Sequence, residues 1–244
     1  PGGLAVATVV ASTVLAAMVG VIGAAVVTMA LVALPSMLRR GYSPVLAVGT
    51  VMAGGTLGIL IPPSVLAIVY GLVANQSVGE LYLGSVFPGL VLSGLYILFS
   101  VGYALLNPKA APRLSPEETP TWSERWRALR SIWSPLVLIF LVLGTIFLGL
   151  AAPTEAAAIG AFGAMVVAAI HRRLSWTILR LALEQTAKAT AMVMWIVFGA
   201  NAFVGFYIAQ GGDRYVSELL LGTGLSPWGI LLLMQGILIV LGMF

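Results

Sequence analysis

Long uncharged apolar runs alternate with short polar interruptions along this chain, and the placement of the interruptions predicts its elements. Leu4 to Leu34 is rich in Ala, Val and Gly and is interrupted at Gly20-Val21-Ile22-Gly23. Two readings fit: one long tilted helix, or two half-length helices forming a re-entrant hairpin with its tip at Gly20, Gly23 and Ala24. The length of thirty-one residues favours the hairpin. Pro35 is expected to end that helix, and Met37 to Pro44 to form a polar loop.

Val45 to Ala74 is a thirty-residue uncharged run, long enough to cross a bilayer. Its middle is ill suited to a continuous helix, because Gly54-Gly55-Thr56-Leu57-Gly58 is followed by Pro62-Pro63-Ser64. Each glycine costs roughly 1 kcal/mol relative to alanine and an interior proline about 3 kcal/mol. Broken backbone at membrane depth is tolerated where it is buried in protein or lines a polar cavity. Discontinuous helices of this kind form the midplane sites of secondary transporters, with unwound carbonyls facing the coupling cation. The alternative is a proline-kinked spanning helix with no bound ion.

Leu81 to Leu106 reads as a spanning helix with Pro88-Gly89 near its start. Residues 107–134 are hydrophilic, with five Lys/Arg and three Glu. Within them Trp122, Trp126, Leu129 and Trp133 recur at helical spacing, an amphipathic connector lying on the membrane surface or packing on a neighbouring subunit. Further helices are expected at 136–151, at 153–170 closing on His171-Arg172-Arg173, at 174–188 and at 189–209. The 174–188 piece reads as interfacial, with Arg180, Glu184 and Lys188 on one stripe. A short surface helix at 215–224 and an apolar segment at 227–244 follow.

Composition agrees with this pattern: the 244 residues are 60% hydrophobic and 8% charged, against about 25% charged in soluble domains. The fold class is an all-α integral membrane protein of polytopic helices. No signal-peptide pattern is present, and both PGGLAVATVV and ILIVLGMF stop within apolar runs, so an excerpt with both ends missing is expected. There are no cysteines, which excludes disulfides, thiol catalysis and Cys-zinc or iron–sulfur centres. The net charge of +4 carries no basic stripe interleaved with aromatics, so nucleic acid is not a partner; the lipid bilayer is. With the Arg39-Arg40 loop in the cytoplasm and sides alternating from there, eleven of the twelve Lys/Arg fall on the inner side, Arg214 excepted. That count makes Arg39-Arg40, 107–134 and His171–Arg173 cytoplasmic.

Thr50, Thr56, Ser64 and Tyr70 are the polar side chains of the broken run, and no carboxylate is among them. Hydroxyls and freed carbonyls are hard oxygen ligands suited to a monovalent cation, whereas proton coupling ordinarily uses an intramembrane Asp, Glu or His. Gly54, Gly55, Thr56, Gly58, Pro62 and Ser64 are therefore the candidate sodium-binding set. Thr56 and Ser64 could equally cap two half-helices. Glu155 suits the first turn of its helix, with Thr154 as N-cap. Asn201 is a lone amide that either lines a substrate path or bonds a neighbouring helix. His171 reads as an interfacial anchor. No nucleophile elbow, zinc-protease or Walker A pattern occurs; no enzyme activity, cofactor or transition metal is expected.

The string AGGTLGILIPPS at 53–64, with LPSMLRRGYSPVLAVGT at 34–50 before it and Tyr70-Gly71 after it, closely resembles the large (DctM-like) membrane subunit of TRAP (tripartite ATP-independent periplasmic) transporters. APTEAAAIGAF at 152–162, GANAF at 199–203 and the closing LGMF are similar to further family positions. The resemblance implies sodium-driven, elevator-type uptake of small organic acids in the bacterial inner membrane. Its implied partners are a periplasmic substrate-binding protein and a small membrane subunit. It also implies inverted repeats. Residues 1–106 would hold the first (hairpin 4–34, broken helix 45–74, helix 81–106), 107–134 the connector, and 135–244 a truncated second repeat. A non-transporting scaffold and a passive channel are the rival readings.

Overall fold

Gly20 turns the chain. In the computed structural model, which describes residues 2–113 and 121–243 with the side chains of 124, 125 and 127–132 outside that description, helix α1 (Gly3–Val19) stops at Gly20. Gly20 lies in the left-handed region at φ 63°, and its amide closes on the Ala16 carbonyl. Helix α2 (Ile22–Arg39) then runs back. The Leu4 amide donates to Tyr42 Oη at 3.2 Å, so the start of α1 and the end of α2 lie side by side. Two antiparallel legs with a two-residue turn are the result.

Pro35 does not end α2, which continues to Arg39. A proline costs a helix one amide, and a helix packed along its length can carry that loss. The loop is correspondingly short: Gly41 at φ 74°, Tyr42 and Ser43, whose amide donates to Ala110 O at 2.8 Å.

The broken run forms α3 (Pro44–Leu60) and α4 (Val65–Ala74). The break lies lower than the glycines. Gly54, Gly55, Thr56 and Gly58 are all helical, and regular structure stops only at Ile61–Ser64. The Ile61 amide still closes on Leu57 O at 2.8 Å, but Pro62 and Pro63 have no amide to offer the carbonyls of Gly58 and Ile59. The Pro62–Pro63 bond is cis.

The glycines serve packing instead. A Cβ on Gly54 would overlap the Ser12 side chain of α1, and one on Gly55 would overlap Val26 of α2. Gly58 lies against the Val21 backbone, where a Cβ would come within 3.6 Å. α3 thus fits into the crotch of the hairpin, with one face on each leg. Ala16 and Leu57 share one buried cluster, and Met29, Ala33 and Val51 another. Close approach of small residues is what holds helices together where lipid offers no hydrophobic gain.

α5 (Val78–Leu106) runs unbroken through Pro88 and packs on α1, α3 and α4. α6 (Trp122–Phe147) joins the expected surface connector and the expected 136–151 span into one helix through Pro135, and ends earlier, at Phe147. Trp122, Trp126 and Trp133 are exposed on it, the first two edge to face at 6.3 Å. The side chains of Arg125, Arg127, Leu129 and Arg130 lie outside the described residues. α7 (Pro153–Ile170) packs on α6. Its N-cap is Ala152, not Thr154; Glu155 reaches back to accept the Ala152 amide at 2.9 Å. His171 caps the end of α7, its Nδ1 2.8 Å from Val167 O.

The chain divides into two compact units, Pro1–Arg173 and Leu174–Phe244. The second holds α8 (Trp176–Ala209), α9 (Gly212–Gly222) and α10 (Pro227–Leu241). α8 is continuous where an interfacial helix and a separate span were expected, since nothing at Lys188-Ala189 interrupts the ladder. On it Arg180 and Glu184 form the expected i, i+4 pair at 2.7 Å, and both are well exposed. Among the described residues five elements are long and apolar enough to cross a membrane: Ile22–Arg39, Pro44–Ala74, Val78–Leu106, Pro153–Ile170 and Trp176–Ala209. The protein is a multi-pass, all-helical membrane protein.

Candidate functional site at the helix break

The hairpin tip docks on the break in α3–α4. The Val65 amide, first in α4, donates to the Gly20 carbonyl at 3.3 Å. A helix N-terminus has amides without intrahelical partners, and here the hairpin supplies one acceptor. Gly20 must be glycine twice over. Its φ is left-handed, and a Cβ would come within 2.6 Å of the Pro63 carbonyl oxygen.

Tyr82 of α5 closes the other side. It is 1% exposed, and its Oη donates to the Ser64 carbonyl at 3.2 Å; the Ile68 amide approaches the same oxygen at 3.4 Å. Ser64 is also 1% exposed, yet its hydroxyl has no partner among the described residues. Ser64 occupies the N-cap position of α4 without making the side-chain cap. An unpaired buried hydroxyl costs about 1–3 kcal/mol, so its retention needs a reason. Ser12, on the α1 face against Gly54, has a second buried hydroxyl without a partner among the described residues.

The expected residues separate into groups. Gly20 and Ser64 come together, with Pro63, at the tip-to-break junction; Pro62 is the preceding residue of the break, and Gly58 lies against Val21. Gly54 and Gly55 are buried in the helix–helix contacts further along α3. Thr56 is exposed: its hydroxyl donates to Ala53 O at 2.7 Å and lies 3.2 Å from Tyr96 Oη, on the α5 side. Gly23 and Ala24 are exposed in α2, and a Cβ on Gly23 would meet open space. Asn201 is exposed on α8 of the second unit.

Sequence reasoning missed Tyr82 and Ser12. For Tyr82 a signal existed, since a tyrosine in an apolar helix usually finds a hydrogen-bond partner when buried. Ser12 gave none. A cavity of about 350 Å³ adjoins the junction, lined by Met18 and Pro63 on one side and by Tyr82, Leu138, Val142 and Gly160 on the others. Its walls are apolar.

The junction offers a cation hard oxygens: the Ser64 hydroxyl, and the Pro63 carbonyl to which no described residue donates. Carbonyl and hydroxyl oxygens suit hard, weakly held cations, so the donor set fits sodium.

The chain matches, over residues 1–244, the family described as "Tripartite ATP-independent periplasmic transporter, DctM component". It is 35% identical over its whole length to the C4-dicarboxylate TRAP transporter large permease protein DctM of Pseudomonas aeruginosa, covering 56% of that protein. It is 30% identical, again over all of this chain, to the isethionate TRAP transporter permease protein DctMQ of Oleidesulfovibrio alaskensis, covering 38% of it. To the ectoine TRAP transporter large permease protein TeaC of Halomonas elongata it is 31% identical over 83% of this chain and 46% of that protein. The chain thus spans about half the length of such relatives. By the match over residues 1–244 and the identity to these permeases, the chain belongs to the DctM family of TRAP transporter large permeases.

Proposed function

We propose that this chain is part of the large permease of a sodium-driven transporter that imports small organic acids across the bacterial inner membrane. The observation that carries the reading is the unpartnered, buried Ser64 hydroxyl at the junction of hairpin tip and broken helix. Sodium is the coupling ion, held at the junction by Ser64 Oγ and the Pro63 carbonyl. Gly54 and Gly55 act through packing, and Thr56 is exposed with its hydroxyl on Ala53 O, so none of the three is a ligand in this reading. Substrates named for relatives are C4-dicarboxylates, isethionate and ectoine; the first two are organic-acid anions, which supports an organic acid here.

The partners of this reading are a periplasmic substrate-binding protein, which delivers the acid, and a small membrane subunit. The hairpin of α1 and α2 re-enters the membrane, and elevator-type movement carries the site across. Asn201 lines the substrate path. The distribution of positive charge supports a cytoplasmic side for Arg39-Arg40, 107–134 and His171–Arg173.

The test uses the complete permease, reconstituted in proteoliposomes with its small subunit and binding protein. Uptake of a labelled acid panel is followed under an inward sodium gradient, with potassium as control. Uptake that requires sodium and the binding protein together is expected. Non-saturating flux without sodium would make it a channel, and no flux from an assembled complex would make the break architectural.

A further inference from the structure

The cation-binding reading leaves one buried group at the junction unexplained, the phenol of Tyr82. Four other oxygens belong to the tip and the break. The Gly20 carbonyl takes the Val65 amide, and the Ser64 carbonyl takes the Tyr82 phenol and the Ile68 amide. The Pro63 carbonyl and the Ser64 hydroxyl take no donor among the described residues. The Pro63 oxygen lies under Gly20, where only the absent Cβ leaves it room.

We infer that Tyr82 is a positioning residue for the cation site: by fixing the Ser64 carbonyl it decides which oxygens of the break are left for the ion. The inference rests on the sodium reading above. Without the phenol the Ser64 carbonyl oxygen keeps one donor, the Ile68 amide at 3.4 Å, a long and weak bond, while the amide of the same peptide, that of Val65, stays on the Gly20 carbonyl at 3.3 Å. Ser64 bears both that carbonyl and the hydroxyl, so a carbonyl held less firmly leaves Oγ less firmly placed as well. α5 is well placed for this task. Gly71 of α4 is packed against Val78 and Leu81, with no room for a Cβ, so α4 and α5 are fastened at their turn end as well as at Tyr82–Ser64. The phenol sets the angle at the free end of that pair. Tyr82 also lines the apolar cavity beside Pro63.

The experiment compares wild type with Tyr82→Phe in the complete permease with its small subunit. One readout is the sodium concentration at half-maximal thermal stabilisation, with potassium as reference; the other is the separation of sodium half-saturation from substrate KM in uptake. Tyr82→Phe is expected to raise both sodium midpoints about three- to tenfold, the range that loss of one hydrogen bond gives, with KM at saturating sodium within about twofold of wild type. In a Ser64→Ala background the same change is expected to add nothing. Unchanged sodium midpoints in a well-assembled Tyr82→Phe protein would overturn the inference while leaving the sodium reading intact. No sodium stabilisation in wild type would instead remove that reading. If Tyr82→Phe does not assemble, Tyr82→Met, which fills the space without a donor, is read in the same way. Failure of both to assemble would make Tyr82 a packing residue and overturn its positioning role.

Discussion

Gly20 and Val65 are forty-five residues apart in numbering and one hydrogen bond apart in space, at 3.3 Å between the carbonyl of one and the amide of the other. The bond joins the end of one helix to the start of another. It makes the hairpin tip and α4 a single local structure, with Pro63 and Ser64 enclosed between them.

Gly20→Ala attacks that structure directly. The left-handed conformation costs an alanine about 1–2 kcal/mol, and its Cβ would press on the Pro63 carbonyl, which is backbone and cannot rotate away alone. We expect lowered thermal stability in potassium and loss of sodium-dependent stabilisation. Both are read from melting curves of the purified complex. A melting curve like wild type in both salts would mean that the tip does not sit on the break.

The glycines of the hairpin and of α3 should not respond alike. Gly54→Ala and Gly55→Ala each force a methyl into a neighbouring leg, at Ser12 and Val26, and overpacking of this kind costs about 1–3 kcal/mol. Gly23→Ala enters open space at the start of α2 and should leave stability unchanged or slightly higher. Equal melting temperatures for all three variants would remove the straddled packing of α3.

This contrast also marks what the sequence could reveal. The apolar runs announced the helices, and Pro62-Pro63 announced the break, because no neighbour can replace two missing amides. The Gly54–Gly58 cluster pointed to the wrong place. Glycine is only a weak helix breaker, and the close fit of α1 and α2 against it outweighs propensity. Pro35 misled in the same sense, lying inside a continuous helix. The pairings that make the site, Gly20 with Val65 and Tyr82 with Ser64, are properties of tertiary docking. No local pattern encodes them.

Ser64 and Thr56 looked equivalent as hydroxyls in one apolar run and are separated by their surroundings. Ser64 is buried and unpaired; Thr56 is exposed and bonded to Ala53 O. Ser64→Ala removes an unsatisfied group, so stability in potassium should hold or rise slightly. Its sodium midpoint should rise severalfold, and Thr56→Val should change it little. The midpoint of sodium-dependent stabilisation decides. A larger shift for Thr56→Val than for Ser64→Ala would move the cation to the α5 side of α3.

Tyr42 sets a second buried phenol at the opposite end of the hairpin, as an acceptor where Tyr82 is a donor. It is 4% exposed, packed with Ala5, Met37 and Leu46, and its phenol oxygen accepts the Leu4 amide at 3.2 Å. Tyr42→Phe therefore unpairs one amide of the first turn of α1, and the expected cost is about 1 kcal/mol. The hairpin base would loosen, but the Gly20–Val65 bond and the oxygens at the break lie at the far end of α1, about 25 Å away by helix length. A lower melting temperature with an unchanged sodium midpoint is expected, measured beside Ser64→Ala in the same assay. A midpoint that shifted with Tyr42→Phe would show that the hairpin carries strain from its base to its tip, and that any destabilised hairpin weakens sodium binding whichever residue is changed.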